Sequence, residues 1–151
     1  HDEHQAVRLW LRLLTCSTQI EQVIRSKLRT QFATTLPRFD YLAQLSRFPK
    51  GLRMKTLSEY LMVTGGNITG LTDQLVAEGW VERVADDEDR RSMTVRLTRS
   101  GKKQFSAMAK AHEQWLEHLL APLGADAARE LYEQLGVLRQ IVGQRVEPVA
   151  D

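Results

Sequence analysis

Two amide side chains stand in a stretch of small and hydroxyl-bearing residues near the middle of the chain. Asn67 and Gln74 are the side-chain types that can bond bidentately to the edge of adenine. Glycines around them would let the backbone approach a ligand closely, and free N–H groups at a helix start suit phosphate. We therefore predict a surface for DNA contact. Its candidate residues are Thr64, Gly65, Gly66, Asn67, Thr69, Gly70 and Gln74.

A second group of side chains that could contact DNA lies in a highly charged turn. Arg90 and Arg91 follow an acidic run that ends at Asp89. An arginine at the tip of a hairpin can enter the minor groove of DNA, where narrow A·T tracts concentrate negative potential. Asp89 would orient one of the guanidinium groups. The alternative interpretation is an ordinary acidic β-turn. A nearby acid, Asp73, is either a salt-bridge partner or an acceptor for a cytosine edge.

The elements that would position these residues form a helix, a turn, a second helix and a hairpin over residues 54–98. Apolar spacing predicts a short helix from about Met54 to Met62, and Thr64 is a suitable N-cap for the next helix. Gly79 is expected to end that helix in a left-handed conformation. Two strands, over residues 80–84 and 93–97, then flank the charged turn. A helix-turn-helix alone is a weak signal, but the hairpin directly after it strengthens the interpretation.

Long amphipathic helices are predicted on both sides of this unit. The first covers residues 6–32, and a shorter helix follows the capping Thr35 and Pro37. Thr98 is expected to cap another long helix, and a last helix begins near Asp126. Their apolar stripes are larger than one small domain can cover, which is typical of an interface. The predicted fold class is mostly α with a small β-hairpin.

Composition excludes several classes of protein and shows an uneven distribution of charge. The 151 residues are 42% hydrophobic and include one cysteine, which excludes a disordered chain and a disulfide scaffold. Residues 25–55 contain one acid, Asp40, and a set of basic side chains typical of polyanion binding or of a solvated surface. These bases are Arg25, Lys27, Arg29, Arg38, Arg47, Lys50, Arg53 and Lys55.

The sequence gives little support to an enzyme or to a membrane protein. His112 and Glu113 begin like a zinc-protease motif, but the second histidine of that motif is missing. His112 and His118 are six positions apart and do not share a helix face. We expect no catalytic residues, no metal and no cofactor. We also expect no membrane span and no signal peptide, and the single cysteine favours the cytoplasm.

The charged turn and the hairpin strand after it carry the resemblance to a known family. Asp89, Arg91, Val95, Leu97 and Thr98 fit the pattern D-x-R-x-x-x-V-x-L-T, and on it the chain resembles the MarR family of bacterial winged helix-turn-helix regulators. The resemblance implies a homodimer that binds double-stranded DNA at a palindromic operator and usually represses. It implies a winged DNA-binding domain at 34–98 and a helical dimerisation region at 1–33 and 99–151. Arg53 stands where many relatives have a Ser or Thr cap, and it is a candidate phosphate contact.

The resemblance also implies an effector, a small aromatic or phenolic acid. In the similar branch that controls aromatic-acid degradation, a CoA thioester can be the effector. An arginine would meet the carboxylate and aromatic side chains would stack on the ring. The alternative is that the same side chains are plain core or interface residues. The candidate lining residues are Trp10, Leu14, Cys16, Arg38, Phe39, Leu42, Met62 and Met108.

Cys16 has two further interpretations. One branch of the family senses peroxide through a cysteine, and a sensor of that kind needs an exposed, activated thiol. The neighbours of Cys16 are mostly apolar or uncharged, with Arg12 as the nearby base. Because free cysteines are among the most buried residues, we expect a buried structural thiol.

Overall fold

The structure is a computed structural model that describes residues 3–61, 65–85 and 93–145, and most of these residues are helical. The fold class expected from the sequence, mostly α with a small β-hairpin, is confirmed. In chain order the described elements are α1 (Gln5–Phe32), α2 (Leu36–Ser46), β1 (Leu52–Arg53), α3 (Met54–Leu61), α4 (Gly65–Ala77), β2 (Val81–Ala85), β3 (Met93–Leu97), α5 (Arg99–Leu120), a 3₁₀ turn (Ala121–Leu123) and α6 (Ala125–Arg145).

Side-chain caps set the starts of two helices, as the sequence predicts. The hydroxyl of Thr35 accepts a hydrogen bond from the backbone N–H of Arg38 at 3.4 Å, and Pro37 occupies the first turn of α2. The hydroxyl of Thr98 accepts from the N–H of Gly101 at 2.9 Å and so caps α5. These bonds satisfy N–H groups that have no partner within the helix. Gly79 follows α4 with a positive φ of 79°, which confirms the expected left-handed end.

The sheet contains one strand more than the sequence predicts. Strands β2 and β3 pair antiparallel as the expected hairpin, with Val81 opposite Leu97. The additional strand β1 pairs antiparallel with β3 on its other edge, so the order is β1-β3-β2. A strand of two residues is too short to show alternation in the sequence. Gly51 precedes it with a φ of 96°, and a Cβ there would lie 2.5 Å from the carbonyl oxygen of Val95.

A buried hydrogen-bonded pair joins α2 to α4 within the compact unit that reaches residue 112. The hydroxyls of Tyr41 and Thr72 are 2.7 Å apart, and the Thr72 hydroxyl donates to the carbonyl oxygen of Ile68 at 2.7 Å. Tyr41 is therefore the donor to Thr72. Both side chains are fully buried, and burial raises the pKa of Tyr41, which keeps its hydroxyl protonated. The surrounding core is apolar and contains Leu28, Leu42, Leu45, Leu57, Leu75, Val81 and Val95.

Many large apolar side chains are exposed outside this core. In the first unit, most of them lie along the N-terminal part of α1, and the full set is Val7, Leu9, Trp10, Leu11, Leu14, Tyr60 and Met93. In the second unit, which begins at residue 113, they are Leu119, Leu120, Leu123, Leu131, Tyr132, Leu135, Val137, Ile141 and Val142. Among the described helices, none is long and apolar enough to cross a membrane. The expected division into a winged domain and a dimerisation region stays a prediction.

Replacing Tyr41 by Phe should destabilise the fold with little change in shape. The Thr72 hydroxyl would keep its bond to Ile68 but would lose the hydrogen bond that it accepts, at a cost of about 1 kcal/mol. Urea unfolding at one fixed protein concentration measures this change. Tyr60→Phe is the control, because Tyr60 is 50% exposed, and it should change the free energy of unfolding by less than about 0.5 kcal/mol. Equal effects of the two substitutions would contradict the assignment.

Candidate nucleic-acid interface

Helix α4 has one buried face and one polar, exposed face. Ile68, Thr72 and Leu75 are almost completely buried, and their spacing of three to four residues places them on one side of the helix. Because this side packs into the core, the opposite side faces solvent. The exposed residues include five with polar or small side chains, namely Asn67, Thr69, Gly70, Asp73 and Gln74.

The first half of α4 contains three glycines, Gly65, Gly66 and Gly70. The helix begins at Gly65, so the N–H groups of Gly65 and Gly66 belong to the first turn, which lacks helical hydrogen-bond partners. A Cβ added at Gly70 would meet no atom within 4 Å. A phosphate or a base edge could therefore approach the backbone along this side of α4. Several predicted contact residues lie outside the described residues, namely Thr64, Asp89, Arg90 and Arg91.

Asp73 lies on the exposed face of α4 and forms an ion pair with Arg83 of β2. This contact supports the salt-bridge interpretation of Asp73 over the cytosine-edge interpretation. The pair is partly exposed, so it adds little to stability. It neutralises a carboxylate on a face expected to approach DNA, and it joins α4 to the hairpin. The sequence does not show the pairing, because ten positions separate the two residues across a helix end and a turn.

A second ion pair, on the hairpin, comes from cross-strand register. Glu82 of β2 lies opposite Arg96 of β3, and their side chains are 2.6 Å apart. Arg53, the candidate phosphate contact, is exposed on β1 directly before α3, opposite Thr94 of β3. The position at which many relatives have a Ser or Thr helix cap is therefore part of a strand in this chain. Its contact with phosphate stays a prediction.

The predicted effector residues fall into two groups. Phe39, Leu42 and Met108 are buried core residues, with at most 6% of their surface exposed. Trp10 and Leu14 are exposed on α1, at 59% and 43%. The structure describes no cavity that both groups line, and Met62 lies outside the described residues.

An aromatic cluster surrounds Phe39. Its ring centroid is 5.6 Å from that of Phe105 and 4.9 Å from that of His112. Burial lowers the pKa of His112, and the nearby Asp40 carboxylate partly offsets this shift. Burial raises the pKa of Asp40, and His112 partly offsets that shift in turn. Desolvation thus disfavours the charged form of each group, and the interaction between Asp40 and His112 acts in the opposite direction.

The expectation that Cys16 is a buried structural thiol is wrong for the chain by itself. Cys16 is exposed. From Gln5 to Gln19, every residue of α1 except Leu13 is exposed. The expectation rested on how often free cysteines are buried, but a helix face is buried only where another element packs on it. Exposure is compatible with the peroxide-sensor alternative, and no further observation favours it.

A short helix, an exposed second helix and a hairpin define the class of winged helix-turn-helix DNA-binding proteins. The profile of the MarR family matches residues 34–92. A crystal structure of a MarR family transcriptional regulator from Silicibacter pomeroyi is 30% identical, with a TM-score of 0.77, and the match covers 96% of this chain and 99% of that one. The chain belongs to the MarR family, a family of DNA-binding transcription regulators.

Two further proteins are similar to this chain. The transcriptional activatory protein BadR of Rhodopseudomonas palustris is 33% identical over 106 residues, which are 69% of this chain and 60% of BadR. The match therefore spans less than two thirds of BadR. The Streptomyces coelicolor regulator Sco3205, whose crystal structure is a complex with DNA, shares the fold with a TM-score of 0.85 at 20% identity, over 99% of this chain and 92% of that one.

Replacing Asn67 by Ala should relax sequence preference at one position of the bound DNA. If the amide pairs bidentately with a base, wild type discriminates at that base pair by about 1–3 kcal/mol and the variant loses this discrimination. The measurement uses a duplex selected from a random pool by the wild-type chain, together with duplexes that each change one base pair. Gln140→Ala, an exposed amide on α6, is the control. An equal loss on every duplex would show that Asn67 contacts only phosphate.

Proposed function

We propose that this chain is a ligand-responsive transcriptional regulator that binds a palindromic operator as a homodimer and represses transcription. The exposed polar face of α4, with open space beside the backbone at Gly70, is the observation that carries the proposal. The Asp73–Arg83 ion pair supports it, because it removes an uncompensated acid from that face. Repression is the mode that the resemblance implies. Because BadR is described as activatory, a reporter gene with the operator upstream decides the direction.

A homodimer would explain the exposed apolar side chains of α1 and α6. Water-exposed apolar area of this extent is unfavourable, at roughly 25 cal/mol per Å². A second copy would offer the same two helices, and a two-fold interface uses the same surface on both subunits. The two copies of α4 would then read the two halves of an inverted repeat.

Replacing Leu131 by Glu should produce a monomer that has lost operator affinity. Leu131 is 48% exposed in the single chain, so the substitution leaves the fold intact but places a charge in the proposed interface. Light scattering measures the mass, and titration of the selected duplex measures the affinity. Gln134→Glu adds the same charge at another exposed position of α6 and should remain a dimer. A monomeric wild type, or a selected duplex without an inverted repeat, would contradict the homodimer.

For the effector, we propose a small aromatic or phenolic acid or its CoA thioester. The aromatic cluster of Phe39, Phe105 and His112 supports an aromatic ligand. Trp10 and Leu14 are exposed on α1 and are available to close over such a ligand in a dimer. The Nε–H of Arg38 is buried and has no hydrogen-bond partner among the described residues, so it can still donate to an anion.

Benzoate, 4-hydroxycinnamate and their CoA thioesters should be tested as effectors. At least one should raise the melting temperature, since a ligand that binds the folded state stabilises it by RT ln(1 + [L]/Kd), and it should release the selected duplex in fluorescence anisotropy. Trp10→Ala should weaken the response about tenfold or more, whereas Leu9→Ala, an equally exposed apolar position, should not. If none of the four compounds changes the melting temperature, the proposed effector class is wrong.

A further inference from the structure

Arg38, in the first turn of α2, contacts the turn that joins α4 to β2. Its guanidinium pairs with the carboxylate of Glu78, directly after the end of α4. The central carbon of the same guanidinium group lies 5.8 Å from the ring centroid of Trp80, directly before β2. From these contacts, we propose that Arg38 is a positioning residue that sets the orientation of α4 relative to the hairpin and so determines how well the two read DNA together. The inference rests on the proposed binding of DNA by α4 and the hairpin.

The type of side chain matters at this position. The Arg38 side chain is only 13% exposed, and Glu78 is 36% exposed. A planar guanidinium can stack on an aromatic ring while its edge bonds a carboxylate, and a lysine ammonium cannot do both in the same geometry. The rigid guanidinium group of Arg38 thus contacts both ends of the three-residue turn, Glu78 at its start and Trp80 at its end.

The opposite side of the turn is held by the segment that begins α5. The Thr98 hydroxyl donates to the carbonyl oxygen of Gly79 at 2.6 Å, and the Thr98 N–H donates to the carbonyl oxygen of Trp80 at 3.0 Å. A Cβ at Gly101 would lie 1.9 Å from that Trp80 oxygen, so α5 meets the turn in close backbone contact. These contacts fix the turn against α5. On its other side, the turn contacts α2 through the Arg38 side chain.

The energetics favour a role in geometry over a role in stability. Removing two charges from water costs free energy that their attraction only partly returns, so a partly buried pair contributes little net stability. What the pair provides is a defined angle between two elements. A helix in the major groove and a hairpin at the minor groove must be placed correctly at the same time. A small rotation at the turn would therefore weaken binding to the correct sequence more than binding to DNA in general.

The ratio of two affinities tests this role. The full-length variants are Arg38→Met, Arg38→Lys, Glu78→Gln and the double variant Arg38→Met/Glu78→Gln. Anisotropy at one salt concentration gives the Kd for the selected duplex and for a scrambled duplex of the same composition. Arg129→Met is the control, because it removes one positive charge and one ion pair, with Asp126, on α6.

We expect each single variant to lose about tenfold in affinity for the selected duplex, with less than about a twofold change for the scrambled duplex. Because Arg38 acts through Glu78, the double variant should be no weaker than Arg38→Met. A general charge effect would instead lower both affinities together, and Arg129→Met should show at most that.

Three results would overturn the inference. The first is an unchanged affinity ratio in both Arg38→Met and Glu78→Gln. The second is a double variant whose loss equals the product of the two single losses, which would make the sites independent. The third is an unfolded Arg38→Met together with a Glu78→Gln that keeps the wild-type ratio. In all three cases, wild type still selects a duplex. A wild-type chain that selects no duplex would overturn the proposed function itself.

Discussion

Helix α4 must bury one face in the core and keep the opposite face exposed, and the rest of the winged unit depends on this constraint. The buried face is held by apolar contact and by the hydrogen bond from Tyr41 to Thr72. A buried hydroxyl pair is specific as well as stabilising, because any rotation of α4 would leave polar groups without partners. The face that carries Asn67 and Gln74 is therefore presented to solvent in one rotational setting.

Ion pairs then connect α4 to the elements around it. Asp73 pairs with Arg83 of β2, and Glu78 pairs with Arg38 of α2. In both pairs an acid of the helix region meets an arginine of another element, so neither acid is uncompensated on the proposed DNA-binding surface. Pairs of this exposure contribute modestly to stability. Their main consequence is a fixed geometry between the helix and the hairpin.

The exposed apolar side chains of α1 and α6 differ from the core residues because they are accessible to water. Side chains such as Trp10 and Leu131 repeat along their helices in the way that core residues do, but they are exposed. Cys16 was expected to be buried because free cysteines usually are, and it is exposed. Sequence periodicity reports that a face is apolar and does not report which element, from this chain or from another, packs on it.

Local chemistry explains which features were predictable. Caps at Thr35 and Thr98, the left-handed Gly79 and the two hairpin strands depend on neighbouring residues, so the sequence alone determined them. The exposed positions of α4 followed from helical spacing in the same way. Strand β1 and the partners of Asp73 and Arg38 depend on segments distant along the chain. Only the tertiary structure decided these, because long-range contacts are fixed by how the elements pack and leave no periodic signal in the sequence.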